Sequence, residues 1–278
     1  MFGWLLRSLV LALVAGALLF APVPGGAQGD DAEEAEAAAG DALLGVLAEP
    51  FAGDWPEIRE RRLLRVLTTY SRTNFLVENG AGHGLEFELM TWLEQRLNAG
   101  DAPGGPAGIR VVFIPLPFGE LIPTLLAGHG DVIAAGLTVT AARAAQVAFS
   151  LPYIENVAER VVRHAAAPPV AVPEDLSGRG LLLTRGTTYV DNARALDARL
   201  RAAGRPGLRI AEAPARLETE DILEMVNAGI VPATVVDRHL AEAWARLLPN
   251  LVVEPAELAT GGRIAWAVRP DAVELKAL

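Results

Sequence analysis

The sequence contains no cysteine among its 278 residues. Disulfide bonds, thiolate nucleophiles and cysteine-ligated zinc sites are therefore excluded. A lipid anchor attached through an N-terminal cysteine is excluded for the same reason. Whatever stabilises the fold must come from packing, hydrogen bonds and ion pairs.

Positive charge is also scarce, and almost all of it comes from arginine. Lys276 is the only lysine, and 24 basic residues face 34 acidic ones, which gives a formal net charge of −10. A P-loop requires a Gly-Lys-Ser/Thr sequence that cannot be built around this lysine. An excess of acid leaves no basic face to neutralise phosphates, so we expect no nucleic-acid partner.

Residue patterns for hydrolytic and metal chemistry are missing as well. The four histidines, His83, His129, His164 and His239, are isolated, and no His-Glu-x-x-His sequence occurs. None of the four serines lies in a Gly-x-Ser-x-Gly elbow. We therefore expect no metal, no cofactor and no catalytic residue in this chain.

The first 27 residues have the composition of a signal peptide. Arg7 precedes an apolar run from Ser8 to Phe20, and small residues follow, with a plausible cleavage site after Ala27. The alternative is an uncleaved anchor helix, because the stretch from Phe2 to Phe20 could nearly cross a bilayer. Either reading predicts export to the periplasm, the second with membrane association.

An acidic, alanine-rich stretch follows at residues 28–62, and we expect it to be a disordered spacer. From Leu63 onward, strand and helix patterns alternate, and a second similar set follows residue 164. Such alternation predicts an α/β protein with mainly parallel sheets and crossover helices. Two such sets favour a ligand cleft between them, at the carboxyl ends of the strands.

One predicted helix, Gly84 to Asn98, carries apolar residues at helical spacing. These are Leu85, Leu89, Trp92, Leu93 and Leu97. The spacing predicts an amphipathic helix.

The stretch from Gly130 to Tyr153 is the most informative part of the chain. An apolar strand ends at Gly136, Leu137 and Thr138, and a helix that begins near Thr140 presents Arg143. A strand end supplies a backbone N–H and a hydroxyl, and the arginine supplies a bidentate fork, which together suit a carboxylate. The alternative is an ordinary surface arginine on an amphipathic helix.

This stretch resembles the signature of solute-binding protein family 3, in which Gly-Asp precedes a strand, Thr-x-x-Arg and Phe-Ser-x-Pro-Tyr. The matching letters here are "GD", "TAAR" and "FSLPY". The sequence "GLEFELMTWL" is similar to the family's Gly-Phe-Glu-x-x-Leu helix, with Leu85 in place of the usual aromatic residue, and "TRGTTY" is similar to its Gly-Thr-Thr turn.

The resemblance extends from Leu63 to the C-terminus and implies a two-lobed periplasmic-binding-protein fold of type II, a Venus flytrap. Lobe 1 would span residues 63–160 and lobe 2 residues 161–255. Residues 256–278 would return to lobe 1, and we expect this return to be truncated.

The resemblance also implies a site for a small ligand, an amino acid or a short peptide. Arg143 would bind the carboxylate beside Thr138 and the Gly136 backbone, and Asp237 would receive the α-ammonium group. Thr187 and Thr188 would open a helix of the opposite lobe, whose N-terminus also favours an anion.

Several of these assignments have structural alternatives. Thr187 could be a plain helix cap, and Asp237 could cap the helix that follows it. Tyr70 and Phe75, after the first strand, are candidates for the apolar wall of the pocket, although packing in the core would explain them equally well.

Two longer stretches, "LETEDILEMVNAGIVPATVVDRHLAEAW" and "GGRIAWAVRPDAVELKAL", are similar to the N-terminal domain of membrane-bound lytic murein transglycosylases of type F. There the domain precedes a peptidoglycan-cleaving domain with a Glu-Ser motif, and the resemblance implies that it senses a ligand, an amino acid, a peptide or a muropeptide, and modulates the second domain. No serine here follows a glutamate, so we expect the catalytic domain to be absent from this chain. The alternatives are a stand-alone binding protein that partners an ABC permease, and a transglycosylase enzyme of which only this part is present.

Overall fold

The computed structural model describes residue 45 and residues 47–99 and 108–278. The predicted signal peptide and residues 28–44 of the predicted spacer lie outside them.

The first half contains α1 Trp55–Arg61, β1 Leu63–Thr68, β2 Leu76–Glu78, β3 Ala81–His83, α2 Leu85–Leu97, β4 Arg110–Pro115, α3 Leu121–Leu126, β5 Val132–Ile133, α4 Ala141–Ala144 and β6 Ala148–Phe149. The second half contains β7 Ile154–His164, β8 Gly180–Leu183, α5 Thr188–Ala202, β9 Arg209–Glu212, α6 Thr219–Asn227, β10 Ala233–Asp237, α7 Arg238–Ala245, β11 Leu251–Ile264, β12 Ala267–Val268 and α8 Val273–Lys276.

Lobe 1 is built on a five-stranded sheet in the order β4-β1-β5-β12-β6. The central strand β1 runs parallel to β4 and β5, whereas β12 runs antiparallel to its neighbours β5 and β6. All six residues of β1 are buried, as expected for a strand covered on both faces. Apolar clusters cover the two faces of this sheet.

A charged residue lies inside that buried strand because it has an ion-pair partner. The guanidinium of Arg65 is fully buried and donates to Asp131 Oδ1 over 3.0 Å. Arg61 of α1 donates to Asp131 Oδ2 over 2.6 Å. The paired carboxylate removes much of the cost of burying these arginines and joins α1 to the sheet.

The spacer prediction is wrong for residues 47–62, which are part of lobe 1. Leu47 is buried in one apolar cluster and Ile58 of α1 in the other. Asp54 caps α1 by accepting a hydrogen bond from the Trp55 N–H over 2.8 Å. The acidic composition that suggested a spacer therefore ends before a capped helix that packs on the sheet.

Helix α2 forms as predicted, but a different face of it is buried. Glu86 and Met90 face inward, while Leu85 is 42% and Trp92 57% exposed. The apolar pattern predicted the wrong buried face of α2, because hydrogen bonds from Gly136, Tyr153 and Trp266 allow Glu86 to be buried. Trp92 instead lies against the guanidinium of Arg96.

Lobe 2 has its own apolar core, built around β7, β8, β10 and the helices α5, α6 and α7. Strands β8 and β9 pair in parallel. The sheet β10-β7-β11 is antiparallel. Among the described strands, parallel pairing occurs in β4-β1-β5 and in β8-β9, and the other strand pairs are antiparallel.

Two long strands connect the lobes. Strand β7 has eleven residues and β11 fourteen, and they pair from Leu251 with His164 to Ile264 with Ile154. The register shifts several times between Val253 and Ile264, which is typical of a bent ribbon. At the lobe 1 end, the Val139 N–H donates to the Arg263 carbonyl over 2.8 Å. The strands therefore form a two-stranded hinge.

Across the described ranges, no helix combines the length and the apolar character that a membrane crossing requires.

Candidate functional site

A cleft lies between the two lobes. Its walls come from loops and helix N-termini that follow the strands of both lobes, as expected for α/β sheets. Lobe 1 contributes Thr73, Glu86, Phe118, Gly136, Thr138 and Arg143. Lobe 2 contributes Thr187, Thr188, Glu218, Glu220 and Asp237. The structure therefore brings six of the eight predicted site residues together.

Arg143 is held by backbone groups of both lobes. Thr140 caps the short helix α4 by accepting from the Arg143 N–H over 3.2 Å, which fixes where the side chain begins. Its guanidinium donates to the Thr138 carbonyl over 2.7 Å and to the Gly186 carbonyl of lobe 2 over 3.0 Å. The guanidinium also lies 5.5 Å from the centre of the Phe118 ring.

The charge of Arg143 has no direct counter-ion. Among the described residues, no carboxylate oxygen lies within 4.0 Å of its guanidinium. Burial lowers the pKa of Arg143, and the more distant Asp191, Tyr189, Glu159 and Asp237 oppose this. An arginine stays protonated despite such a shift. The cleft therefore presents a fixed cation that can still accept a carboxylate.

Glu86 accepts from the Gly136 backbone N–H, which we expected to be free for a ligand. The Gly136 N–H donates to Glu86 Oε1 over 2.9 Å, and the Tyr153 hydroxyl donates to the same oxygen. The indole N–H of Trp266 donates to Oε2 over 2.9 Å. The prediction that the Gly136 N–H binds ligand is therefore corrected, because Glu86 already accepts from it.

Thr187 and Thr188 begin α5 at the opposite wall. Thr187 is the N-cap residue, but its hydroxyl donates to the Thr184 carbonyl over 2.7 Å rather than capping the helix. The first-turn N–H groups of a helix have no partner within the helix. The N-terminus of α5 thus adds positive potential to the cleft wall.

Asp237 ends β10 and is only 3% exposed. It is the N-cap residue of α7, yet its side chain makes no capping hydrogen bond. Within the described residues, no Lys, Arg or His nitrogen lies within 4.0 Å of its carboxylate. Burial and then the negative charge of Glu159 raise the pKa of Asp237 to about 7. The helix-cap alternative is therefore not realised, and the carboxyl is available to a cationic group.

Tyr70 and Phe75 do not form the wall of the cleft. Phe75 is 0% exposed and stacks on Phe113 with 4.8 Å between ring centres, within the lobe 1 core. Tyr70 is 46% exposed and packs edge-on against Phe75, away from the cleft lining. The sequence left two positions open for Tyr70 and Phe75, the wall of the pocket or the core of the lobe. The structure places Phe75 in the core.

Three acidic cleft residues were missed by sequence reasoning. They are Glu86, Glu218 and Glu220. Glu220 is buried and accepts a hydrogen bond from the Thr73 N–H of the other lobe over 3.1 Å. Burial, followed by repulsion from Glu220 and Asp221, raises the pKa of Glu218 to about 8. The only available sequence signal was a glutamate inside an apolar helical pattern, and it applied to Glu86 alone.

The part of the chain that the structure describes holds no group of three or more histidine, aspartate or glutamate side chains arranged for a metal ion. The cleft lining offers charged hydrogen bonding, with one guanidinium, the N-termini of α5, α6 and α7, and several carboxylates.

Comparison with known proteins gives a consistent relationship. The family model of bacterial extracellular solute-binding proteins, family 3, matches residues 64–275. The membrane-bound lytic murein transglycosylase F of Maricaulis maris is 34% identical over 216 residues, which are 76% of this chain and 42% of that protein. The protein of the same name from Ectopseudomonas mendocina is 27% identical over 82% of this chain and 43% of its own. The chain thus spans about two fifths of the length of these relatives.

Solved structures of similar fold are amino-acid-binding proteins. An ancestral arginine-binding protein bound to arginine superposes with a TM-score of 0.64 and 27% identity, covering 78% of this chain and 88% of that one. The holo arginine-binding protein of T. maritima gives a TM-score of 0.63 and 24% identity, covering 80% and 89%. On the family match and the two-lobed fold together, the chain belongs to family 3 of the bacterial extracellular solute-binding proteins.

Proposed function

We propose that this chain is a periplasmic ligand-binding and sensing domain for a small molecule that carries both a carboxylate and an ammonium group. The observation that carries the proposal is the pair of unpaired charges in one cleft, the Arg143 guanidinium and the Asp237 carboxyl. Free amino acids, short peptides and peptidoglycan fragments with free termini all have this chemistry.

The ligand would contact both lobes. Arg143, beside Thr138, would bind the carboxylate from lobe 1, with the α5 N-terminus at Thr187 and Thr188 adding positive potential. Asp237 would accept the ammonium from lobe 2. A ligand that touches both lobes stabilises the closed arrangement by its differential affinity, with no chemical step.

The arginine-bound ancestral relative supports an amino-acid-like ligand, because it shares the fold at 27% identity. The names of the curated relatives, of which this chain spans about two fifths, support a place beside a murein-cleaving domain in the parent protein. Export to the periplasm, through the signal sequence at residues 1–27, fits both.

The binding proposal is tested by isothermal titration calorimetry on the full chain, with a panel of amino acids and purified muropeptides. We expect Arg143→Ala to weaken binding about 10-fold or more, because a charge-assisted hydrogen bond contributes about 1.5–3 kcal/mol. Arg246→Ala, which removes an exposed arginine outside the cleft, serves as the control. Unchanged affinity in Arg143→Ala, with the fold intact by circular dichroism, would reject this site.

The partner is tested separately from the ligand. A reading frame that continues past Leu278 into a domain with a Glu-Ser motif supports the transglycosylase partner. A neighbouring permease gene, with no such continuation, supports the alternative of an ABC importer.

A further inference from the structure

One carboxylate in the cleft wall is fully buried and has no cation beside it. Glu86 is the second residue of α2, lines the cleft and is 0% exposed. Over the ranges that the structure describes, no Arg, Lys or His nitrogen lies within 4.0 Å of its oxygens. Burying a carboxylate without a counter-ion is costly, so this position requires several hydrogen-bond donors. Three hydrogen bonds to Glu86 supply them.

The three donors belong to segments that are far apart in the sequence. Gly136 lies after β5, Tyr153 directly before β7, and Trp266 between β11 and β12. Both carboxylate oxygens of Glu86 are in use, since Gly136 and Tyr153 donate to Oε1 and Trp266 donates to Oε2. The same residue therefore joins the loop after β5 to the lobe 1 ends of the two connecting strands.

Those strand ends are also bonded directly to each other. The Tyr153 N–H donates to the Ile264 carbonyl over 3.0 Å, and the Ser150 N–H donates to the Trp266 carbonyl over 2.9 Å. The Tyr153 and Trp266 rings pack with 5.8 Å between their centres. Glu86 thus accepts from two strand ends that already hold each other in place.

The loop after β5 carries the cationic half of the proposed site. Gly136 has a φ of +64°, a left-handed conformation that favours glycine. Two residues later, the Thr138 carbonyl accepts from the Arg143 guanidinium over 2.7 Å. The bond from Gly136 to Glu86 fixes this turn, so it also fixes the carbonyl that orients the guanidinium.

A carboxylate at the start of α2 also interacts favourably with the helix dipole, but that role does not require burial. Glu88 lies in the same turn and is exposed. The dipole thus explains an acid at this end of the helix and leaves the three hydrogen bonds of Glu86 unexplained.

We infer that Glu86 is the positioning residue of the carboxylate-binding half of the site: it sets the turn at Gly136 and, through Thr138, the direction of Arg143. In this assignment Glu86 acts through its neighbours and not on the ligand itself. The inference rests on the proposed function for the ligand that Arg143 receives, whereas the placement of the loop can be measured without any ligand.

The variant Glu86→Gln tests the assignment, because an amide has one acceptor oxygen where the carboxylate has two. With that oxygen toward Gly136 and Tyr153, the amide NH2 opposes the indole N–H of Trp266, and the network around the loop weakens. We expect the Gly136 amide to exchange with solvent about 10-fold or more faster than in the parent, measured by NMR on the full chain. Glu88→Gln removes an exposed carboxylate from the same turn and should leave that rate unchanged. Equal Gly136 exchange rates in Glu86→Gln and the parent would overturn the inference.

A second substitution separates positioning from a general loss of stability. Trp266→Phe removes the donor that opposes the new amide, so Glu86→Gln/Trp266→Phe should bring the Gly136 exchange rate back to within about threefold of Trp266→Phe alone. Tyr153→Phe should not rescue, because donors still face both ends of the amide. If adding Trp266→Phe speeds the exchange further, Glu86 has only a packing role and the inference is wrong. Should Glu86→Gln alone not fold, a folded double variant with slow Gly136 exchange supports the assignment, and an unfolded one contradicts it.

Ligand binding is measured on the same variants with glycine, which carries only the two main-chain charges. We expect Glu86→Gln to weaken glycine binding about 10-fold, and Glu86→Gln/Trp266→Phe to recover it. A parent chain that binds neither glycine nor any ligand of the panel refutes the proposed function, while the exchange of Gly136 still decides the role of Glu86. Unchanged glycine binding in Glu86→Gln, beside faster Gly136 exchange, would mean that the loop does not position Arg143, and the inference would fail while the proposed function stands.

Discussion

Glu218 lies at the start of α6 beside Glu220 and Asp221, so its ionisation affects the stability of the fold. Its pKa is about 8 in the folded chain, against 4.5 for an ordinary glutamate. Between these two values the folded state retains a proton that the unfolded state has lost. Stability therefore falls as the pH rises through this window and levels off above pH 8.

We expect Glu218→Gln to stabilise the ligand-free chain at high pH. The gain in the free energy of unfolding should be near zero at pH 4.5 and about 2 kcal/mol at pH 8.5, because one pKa unit corresponds to about 1.4 kcal/mol and solvent screens part of the effect. Urea denaturation at pH 5, 6.5 and 8.5 measures it, with Glu60→Gln as the control. A gain that does not change with pH would contradict the raised pKa.

At this scale the sequence predicts which residues come together at the cleft, while their role in binding stays a prediction. Arg143, Thr138 and Asp237 line the cleft because strand ends of both lobes meet there. The position of Phe75 could not be predicted from the sequence, since an aromatic residue after a strand can turn toward the core or toward the pocket. The partner of the Gly136 N–H could not be predicted, because Glu86 lies fifty residues earlier in the chain.

Among the elements, α1 and α8 are joined through one carboxylate. Asp54 accepts from the Trp55 N–H in α1 and from the N–H groups of Glu274 and Leu275 in α8, the latter two over 2.9 Å each. Helix α1 has only seven residues and α8 only four, so neither is stable alone. The shared cap therefore connects the segment before β1 to the C-terminal segment.

We expect Asp54→Ala to lower the free energy of unfolding by about 1–2 kcal/mol, since it removes the acceptor of three N–H groups. Asp54→Asn keeps an acceptor oxygen and should lose less. Chemical denaturation measures both, and Glu60→Ala, on the exposed side of α1, should stay within about 0.5 kcal/mol of the parent. If Asp54→Ala unfolds like Glu60→Ala, the shared cap contributes nothing to stability.

The alternation of strands and helices predicted most elements from Leu63 onward, because buried strands and helices have distinct apolar periods. Two errors have a common physical origin. Helix α2 buries Glu86, and the acidic stretch before Leu63 ends in a helix whose arginine pairs with Asp131. A polar group can be buried when residues distant in the sequence supply its hydrogen-bond partners. A local apolar pattern does not reveal such partners, so it cannot predict that burial.

On the scale of the whole molecule, the lobes contact each other through side chains of the loop after β1 and of α6 and α7. Arg72 of lobe 1 forms an ion pair with Glu224 of α6 and lies 5.9 Å from the Trp244 ring centre. The Trp244 indole N–H donates to Thr73 Oγ1 over 3.5 Å. These contacts join the two lobes directly, so we expect them to stabilise the closed arrangement that a ligand would favour.

The ion pair between Arg72 and Glu224 is exposed, so its contribution is modest. We expect Arg72→Ala to weaken the closed arrangement by about 1 kcal/mol, combining the ion pair and the contact with Trp244. The open population then rises about fivefold, and ligand affinity falls by up to the same factor.

Small-angle X-ray scattering of the ligand-free chain should give a larger radius of gyration for Arg72→Ala, and saturating ligand should abolish the difference. Arg199→Ala removes an exposed arginine whose partner Glu174 lies within lobe 2, so it should change neither quantity. Equal radii for Arg72→Ala and the parent without ligand would mean that the hinge strands, rather than these contacts, set the closed state.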